Sequence, residues 1–202
     1  SSPNSVSAYR INADNTLSEI SGSPFAVDQN AVDLATDGRF LYTANGVGSD
    51  SVGAYAIDTS GALSSVGGSP FSSGGSAPQN LEVAPSGEYV VVTNAGSDNF
   101  DIFVINGATG ALTAMTGSPF AAGDEPQGVS IGPGSTRVII SNCLDDSLSV
   151  YEVDPLAVQH LQRAVGVLRD GDLEPRLLEG VTQRHPDGDL VVGEEDPHRT
   201  PA

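Results

Sequence analysis

Gly-Ser-Pro-Phe stands at 22–25, again at 68–71 and again at 117–120, so the copies are 46 and 49 residues apart. Setting them in register aligns what surrounds them. Ser51-Val-Gly-Ala-Tyr55 falls under Ser5-Val-Ser-Ala-Tyr9, above Asn99-Phe-Asp-Ile-Phe103 and Ser147-Leu-Ser-Val-Tyr151. Tyr42-Thr-Ala-Asn45 matches the run ending in Asn94 and the Ile139-Ile-Ser-Asn142 run, and Thr36-Asp-Gly38 matches Pro85-Ser-Gly87 and, loosely, Pro133-Gly-Ser135. Signposts that hold one phase over three periods are the mark of a repeat architecture.

Each period contains four short β-prone runs separated by turn formers. In the middle copy these are Asn80 to Ala84, Glu88 to Thr93, Asn99 to Ile105 and Ala111 to Met115. Four strands in such a length make one antiparallel blade. The third run, as in Phe100-Asp-Ile-Phe-Val-Ile105, is apolar on both faces, and a sheet buried on both faces must lie between neighbours. A two-layer sandwich would not impose this strict period, so the fold class is an all-β propeller array of about three four-stranded blades. The Gly-Ser-Pro-Phe corner is expected to close the outermost strand, where a residue without an N–H is tolerated. Its phenylalanine then anchors the return to the next blade's inner strand.

Composition narrows the partners. The chain of 202 residues has 26 acids against 8 basic residues, all of them arginine, for a net charge of −18. Such a surface repels nucleic acids and anionic lipid, and leaves cations, sugars and neutral small molecules. No apolar run approaches the ~20 residues needed to cross a bilayer as a helix. The lone Cys143 excludes an internal disulfide framework. A lysine-free, Ser/Gly/Asn-rich makeup suits a secreted or periplasmic protein, a cytoplasmic one being the alternative, and a leader before Ser1 is left open.

Together, Tyr42-Thr-Ala-Asn45, Ser51-Val-Gly-Ala-Tyr55-Ala-Ile57-Asp58, Gly61-Ala-Leu63 and Gly68-Ser-Pro-Phe71 resemble the YVTN-type repeats of lactonase-family β-propellers, which are related to 6-phosphogluconolactonase and carboxymuconate cyclase. The resemblance covers residues 1 to 154. It implies a seven-bladed ring to which this chain supplies roughly three blades, and a parent activity of sugar-lactone hydrolysis. The matching motifs are structural ones, so the resemblance carries over no catalytic residue.

After Val153-Asp-Pro155 the period stops. Residues 155–202 are therefore set apart from the 1–154 propeller portion as a weakly ordered tail outside the family pattern. Leu156, Leu161, Ala164, Val165 and Leu168 fall near helical spacing, which predicts a short amphipathic helix. Such a tail is either a helical cap or the product of a frame error. The weak apolar character of the tail favours the second.

Three sets of residues are candidates for chemistry. On the inner strands, Val32 and Leu34 share a face, as do Leu81 and Val83, and Val129 and Ile131, which leaves Asp33, Glu82 and Ser130 equivalent on the other face. Asp33 and Glu82 near a central channel are candidate acid or base groups; the structural alternative, weighted above it, is that each accepts hydrogen bonds from the next blade. Arg10 breaks the repeat consensus with a cation and joins them as a candidate for holding an anionic substrate.

Loops on one face carry Asp28, Asp50, Asp98, Asp124, Glu125, Asp145 and Asp146, a candidate ligand-binding rim. Hard cations such as Ca²⁺ take clustered carboxylates, but no loop shows a calcium-binding pattern, so these acids read first as turn formers and no cofactor is expected. Asn45, Asn94 and Asn142 end the second strands as turn residues. No histidine lies in a blade to activate Cys143, and His160, His185 and His198 lack ligand spacing.

Two functions remain. One is a lactonase-like hydrolase of which this chain is an inactive portion. The other is a secreted or surface binding propeller that uses its acidic loop face for a small-molecule or carbohydrate ligand. Unpaired blade edges add self-association to the expectations.

Overall fold

The computed structural model describes residues 4–154 and the backbone of residues 161–169. No helix occurs among them, and none is long and apolar enough to cross a membrane. A partial blade comes first. Its strands are β1 (Ser5–Val6), β2 (Tyr9–Ile11), β3 (Leu17–Glu19) and β4 (Phe25–Ala26), with β1 paired to β4 and β2 to β3. They correspond to the third strand and the outer edge of the blades that follow.

The first complete blade has β5 (Ala31–Thr36), β6 (Phe40–Asn45), β7 (Ser51–Ile57), β8 (Leu63–Ser65) and β9 (Phe71–Ser72). The second has β10 (Pro78–Val83), β11 (Tyr89–Asn94), β12 (Asn99–Ile105), β13 (Leu112–Ala114) and β14 (Phe120–Ala121). The third has β15 (Pro126–Ile131), β16 (Arg137–Asn142), β17 (Ser147–Val153) and β18 (Leu161–Arg169). Each is an antiparallel meander in sequence order, and the innermost strands β5, β10 and β15 lie side by side.

The Gly-Ser-Pro-Phe corner does more than end a strand. In the second blade the outer edge of β12 is covered twice, by β13 opposite Phe103 to Ile105 and by β14 opposite Asn99 and Phe100. Between the two, the corner loops away from the ladder, and its serine hydroxyl accepts the N–H that the loop would strand. Ser118 Oγ takes Ile102 N–H at 3.0 Å, Ser69 Oγ takes Ala54 N–H at 2.9 Å and Ser23 Oγ takes Ala8 N–H at 3.1 Å. The glycine supplies a φ near +92° in each copy, a backbone state that side chains disfavour, and the Ser-Pro bond is cis in all three. Proline fits because the ladder is interrupted there; phenylalanine restarts it.

Hydrophobic packing lies between blades. One core joins Phe40, Tyr42, Val52 and Ala54 of the first blade to Leu81, Val90, Val92 and Phe103 of the second. Another joins Val91, Phe100 and Ile102 to Val138, Ile140 and Tyr151 of the third. The third strands β7 and β12 are accordingly buried on both faces over most of their length, as are β6 and β11, whereas β16 and β17 of the third blade alternate buried and exposed positions. This is the double-sided burial expected of stacked blades.

Two expectations need correction. The segment read as a helix is extended where it is described: Leu161–Arg169 forms β18, paired along the whole of β17 from Ser147↔Arg169 to Val153↔Leu161. The physical reason is the open outer ladder of β17, whose backbone groups need partners that a helix cannot supply. Leu156, the first residue of the expected helix, lies outside the described residues.

The second concerns the inner strands. Each begins with a bulge, since Ala31↔Asn45 is followed by Asp33↔Ala44, Pro78↔Asn94 by Asn80↔Thr93 and Pro126↔Asn142 by Gly128↔Ser141. One residue, Val32, Gln79 or Gln127, is extra in each strand. Counted from the paired asparagine, Asp33 matches Asn80 and Gly128, while Glu82 matches Ala35 and Ser130. Asp33 and Glu82 are thus not equivalent positions; they differ by two residues along the strand.

Candidate functional site

Inner-strand acids bridge neighbouring blades. Asp33 Oδ2 accepts Leu81 N–H at 3.0 Å, and its register partner Asn80 accepts Val129 N–H through Oδ1 at 3.3 Å. Two residues further on, Glu82 Oε2 accepts Ile131 N–H at 3.1 Å. These bonds satisfy inner-strand N–H groups that have no strand beyond them to pair with. Asp33 and Glu82 are half-buried. Burial pushes the Glu82 carboxyl above its usual range, against the lowering effect of the Ile131 N–H. Tyr89 is also raised, to about 12, by burial first and then by Glu82 and Glu88.

The raised Glu82 carries a pH prediction. A carboxyl that binds its proton more tightly in the folded chain contributes most below its unfolded value of 4.5, and that contribution is lost as pH rises through the folded value. Glu82→Gln keeps an acceptor for Ile131 N–H and removes the charge. Urea denaturation is expected to show the variant at least as stable as the parent at pH 7, with its advantage shrinking towards pH 4. A variant less stable by the same amount at both pH values would contradict the burial argument.

Arg10 lies apart. It lines a groove of about 240 Å³ with Ser18, Glu19, Ile20, Ser21 and Ser60, between the partial blade and the β7–β8 turn, and neither Asp33 nor Glu82 lines it. A second groove of about 310 Å³ separates the β5–β6 and β10–β11 hairpins, with Asp37, Arg39 and Ser86 in its wall. Its polar groups are engaged internally: Asp37 accepts Arg39 and Phe40 N–H and pairs with the Arg39 guanidinium, and Ser86 Oγ accepts Glu88 N–H.

The acidic loops do share one face, because the loops entering the inner strands bond to the loops joining second and third strands. Gly46 N–H meets Asn30 O, Ala95 N–H meets Ala77 O and Cys143 N–H meets Glu125 O. Within that rim the carboxylates have structural partners. Asp50 Oδ1 accepts Ala77 N–H at 2.8 Å and Asp98 Oδ1 accepts Glu125 N–H at 2.9 Å, the same bond one blade on. Asp28 Oδ2 accepts the Tyr55 hydroxyl at 2.7 Å, whose pKa is pushed up to about 12 by burial and by this carboxylate. Asp145 Oδ1 accepts the Ser147 hydroxyl, Glu125 Oε1 accepts from the Gln127 amide, and Asp124 and Asp146 are exposed. Among the described residues no three Asp, Glu, His or Cys side chains converge as a metal site.

The strand-ending asparagines are hairpin clasps. Asn45 Nδ2 donates to Ser51 Oγ, Asn94 Nδ2 to Asn99 Oδ1 and Asp101 Oδ2, and Asn142 Nδ2 to Ser147 and Ser149 Oγ. Asn142 Oδ1 also accepts Gly123 N–H at 3.1 Å. In the second blade the equivalent loop, Ser73 to Ala77, is one residue longer, and the buried Asn94 Oδ1 has no partner among the described residues.

Asp101 is the residue that sequence reading passed over. It is 1% exposed in the middle of β12, where the other complete blades have Gly53 and Ser149. Its Oδ2 accepts Gly74 N–H at 2.9 Å and Asn94 Nδ2 at 2.8 Å, and its Oδ1 accepts the Ser118 hydroxyl at 3.0 Å. In the first blade Asp28 reaches into the same place. A Cβ on Gly53 would stand 2.8 Å from Asp28 Oδ2 and 2.4 Å from Thr43 Oγ1, so only glycine fits. The available signal was one acid in an otherwise apolar third strand.

Residues 3–131 match the family described as lactonase, 7-bladed beta-propeller. The chain belongs to that family. No curated protein matches it. Among solved structures, a protein from Lactobacillus plantarum is 19% identical with a TM-score of 0.69, over 81% of this chain and 48% of that one. The periplasmic gluconolactonase of Pseudomonas aeruginosa is 21% identical with a TM-score of 0.66, over 82% and 48%. A putative 6-phosphogluconolactonase from Bacteroides fragilis is 20% identical with a TM-score of 0.64, over 80% and 48%. This lactonase-family chain thus spans about half the length of these structures.

Proposed function

We propose that these blades belong to a hydrolase of sugar lactones, and that the chain by itself does not turn lactones over. The membership of residues 3–131 in the lactonase family carries the first half of this reading. The second half is supported by the state of the candidate groups. Asp33 and Glu82 are each committed to an inter-blade backbone bond, and Arg10 lines a separate groove. A hydrolytic water needs a base within hydrogen-bond reach and a cationic or N–H cradle for the developing oxyanion, gathered around one carbonyl carbon. Inner-strand carboxylates with raised affinity for a proton, such as Glu82, are the groups this chain would offer towards that centre. The remaining groups would come from further blades. The likeness to a periplasmic gluconolactonase and the lysine-free composition favour a location outside the cytoplasm.

The test is hydrolysis of an aldonolactone by the purified chain, followed by proton release. The expected result is a rate equal to the spontaneous one, with circular dichroism showing folded β structure. Turnover above background that is abolished by Asp33→Asn or Glu82→Gln would overturn the inactive reading and would make those carboxylates catalytic.

A further inference from the structure

We infer that Asn106 is a site of self-catalysed deamidation in the folded chain, and that the second Asn-Gly pair, Asn45-Gly46, is protected by the fold. Asn106 and Gly107 are exposed in the β12–β13 turn. The Asn106 Oδ1 accepts Ala108 N–H at 3.0 Å and Thr109 N–H at 3.2 Å. Two donors on a carboxamide oxygen polarise its carbon and are placed to receive the negative charge that develops on that oxygen during attack. The nucleophile is free, since Gly107 N–H makes no hydrogen bond among the described residues. Nothing lies within 4 Å of where a Gly107 Cβ would stand. The Asn106 carbonyl accepts Thr109 N–H at 3.1 Å and Gly110 N–H at 2.7 Å, so the attack requires this exposed turn to open, without disturbing the buried core.

The Gly107 nitrogen attacks Cγ of Asn106, forming a C–N bond and closing a five-membered imide. The Cγ–Nδ2 bond breaks, and Nδ2 leaves as ammonia with the proton given up by the Gly107 nitrogen. Water then opens the imide at either carbonyl to yield aspartate or isoaspartate. The product has a precedent in the molecule. The residue at the end of the preceding blade's third strand is Asp58, whose Oδ1 accepts Ser60 and Ala62 N–H and the Ser60 hydroxyl. Those bonds, the Ser60 hydroxyl first, hold the Asp58 carboxyl below its usual range. A cation is also at hand, because Arg39 Nη1 donates to Gly107 O at 2.9 Å.

Asn45-Gly46 has the same covalent chemistry, but its asparagine is buried and its glycine N–H is engaged. Asn45 is fully buried, its Nδ2 is bonded to Ser51 Oγ at 3.1 Å and its Oδ1 to the Thr43 hydroxyl at 3.0 Å. Gly46 N–H is engaged by Asn30 O at 2.8 Å.

Peptide mapping by mass spectrometry after incubation at mildly alkaline pH tests this, with the chain native and in urea. In the native chain, conversion at Asn106 to aspartate and isoaspartate is expected to run about tenfold or more ahead of Asn45, the factor set by breaking a buried hydrogen bond. In urea the two rates should converge. Gly107→Ala, which the open space around Gly107 accommodates, should slow the reaction at Asn106 several-fold. Equal native rates at both sites, or an unchanged rate in Gly107→Ala, would overturn the inference.

Discussion

Phe100→Ala is expected to destabilise the blades by about 3–5 kcal/mol, the cost of emptying a well-packed aromatic position. Phe100 is fully buried in β12, and its ring centroid lies 5.5 Å from that of Phe120 and 4.7 Å from that of Tyr151. Phe120 belongs to the Pro-Phe corner of the same blade and Tyr151 to the third strand of the next, so one side chain joins corner, blade and neighbour. Tyr151 is further held by its hydroxyl, which donates to Ala121 O. Collapse around the cavity is limited because these partners hang on separate backbone ladders. Urea denaturation measures the effect. A loss under ~1 kcal/mol would mean that this inter-blade core is not packed as described. Phe100→Leu, which refills part of the volume, should recover about half.

Asp101→Ala is expected to cost about 3–5 kcal/mol, on the scale of stranding several buried hydrogen-bond donors at once. Three donors lose their acceptor together: Gly74 N–H in the loop entering β10, the Asn94 amide at the end of β11 and the Ser118 hydroxyl in the corner. Each stranded buried donor costs about 1–3 kcal/mol, and the sum is sub-additive because the loop around Gly74 can relax towards water. Asp101→Asn keeps one acceptor and should fall between. Ser118→Ala strands Ile102 N–H, and a cycle with Asp101→Ala should show coupling of about 0.5–3 kcal/mol because the two side chains share a bond. Additive losses in that cycle, or an Asp101→Ala variant within ~0.5 kcal/mol of the parent, would remove Asp101 as the tie between loop, hairpin and corner.

These effects bear on function through pre-organisation. The inner-strand carboxylates are positioned by the blade junctions, which consist of the Phe100 core together with the acid-to-backbone bonds of Asp33, Asp50, Glu82 and Asp98, so under the proposed hydrolase reading these variants would also disturb the site. A carboxylate held by a neighbouring blade's N–H is oriented before any substrate arrives.

Repeat phase, strand number and the shared face of the acidic loops were all readable from the residues, because turn formers at a fixed interval and runs apolar on both faces constrain local backbone and packing directly. The Gly-Ser-Pro-Phe copies announced a corner for the same reason: glycine and proline restrict the chain wherever they stand. What depended on pairing was out of reach. The β5–β6 hairpin is two residues shorter than its counterparts, Thr36↔Leu41 enclosing residues 37–40 where Val83↔Val90 encloses 84–89, so Asp33 and Glu82, equally far before Asn45 and Asn94, look equivalent in sequence although their ladder positions differ. Leu161, Ala164, Val165 and Leu168 carry a spacing that a helix accepts, and only the vacant edge of β17 turned that stretch into a strand. Asp101 became legible as a keystone only when the fold brought Gly74, Asn94 and Ser118 around it, since partners from a loop, a strand end and a corner leave no trace in local composition.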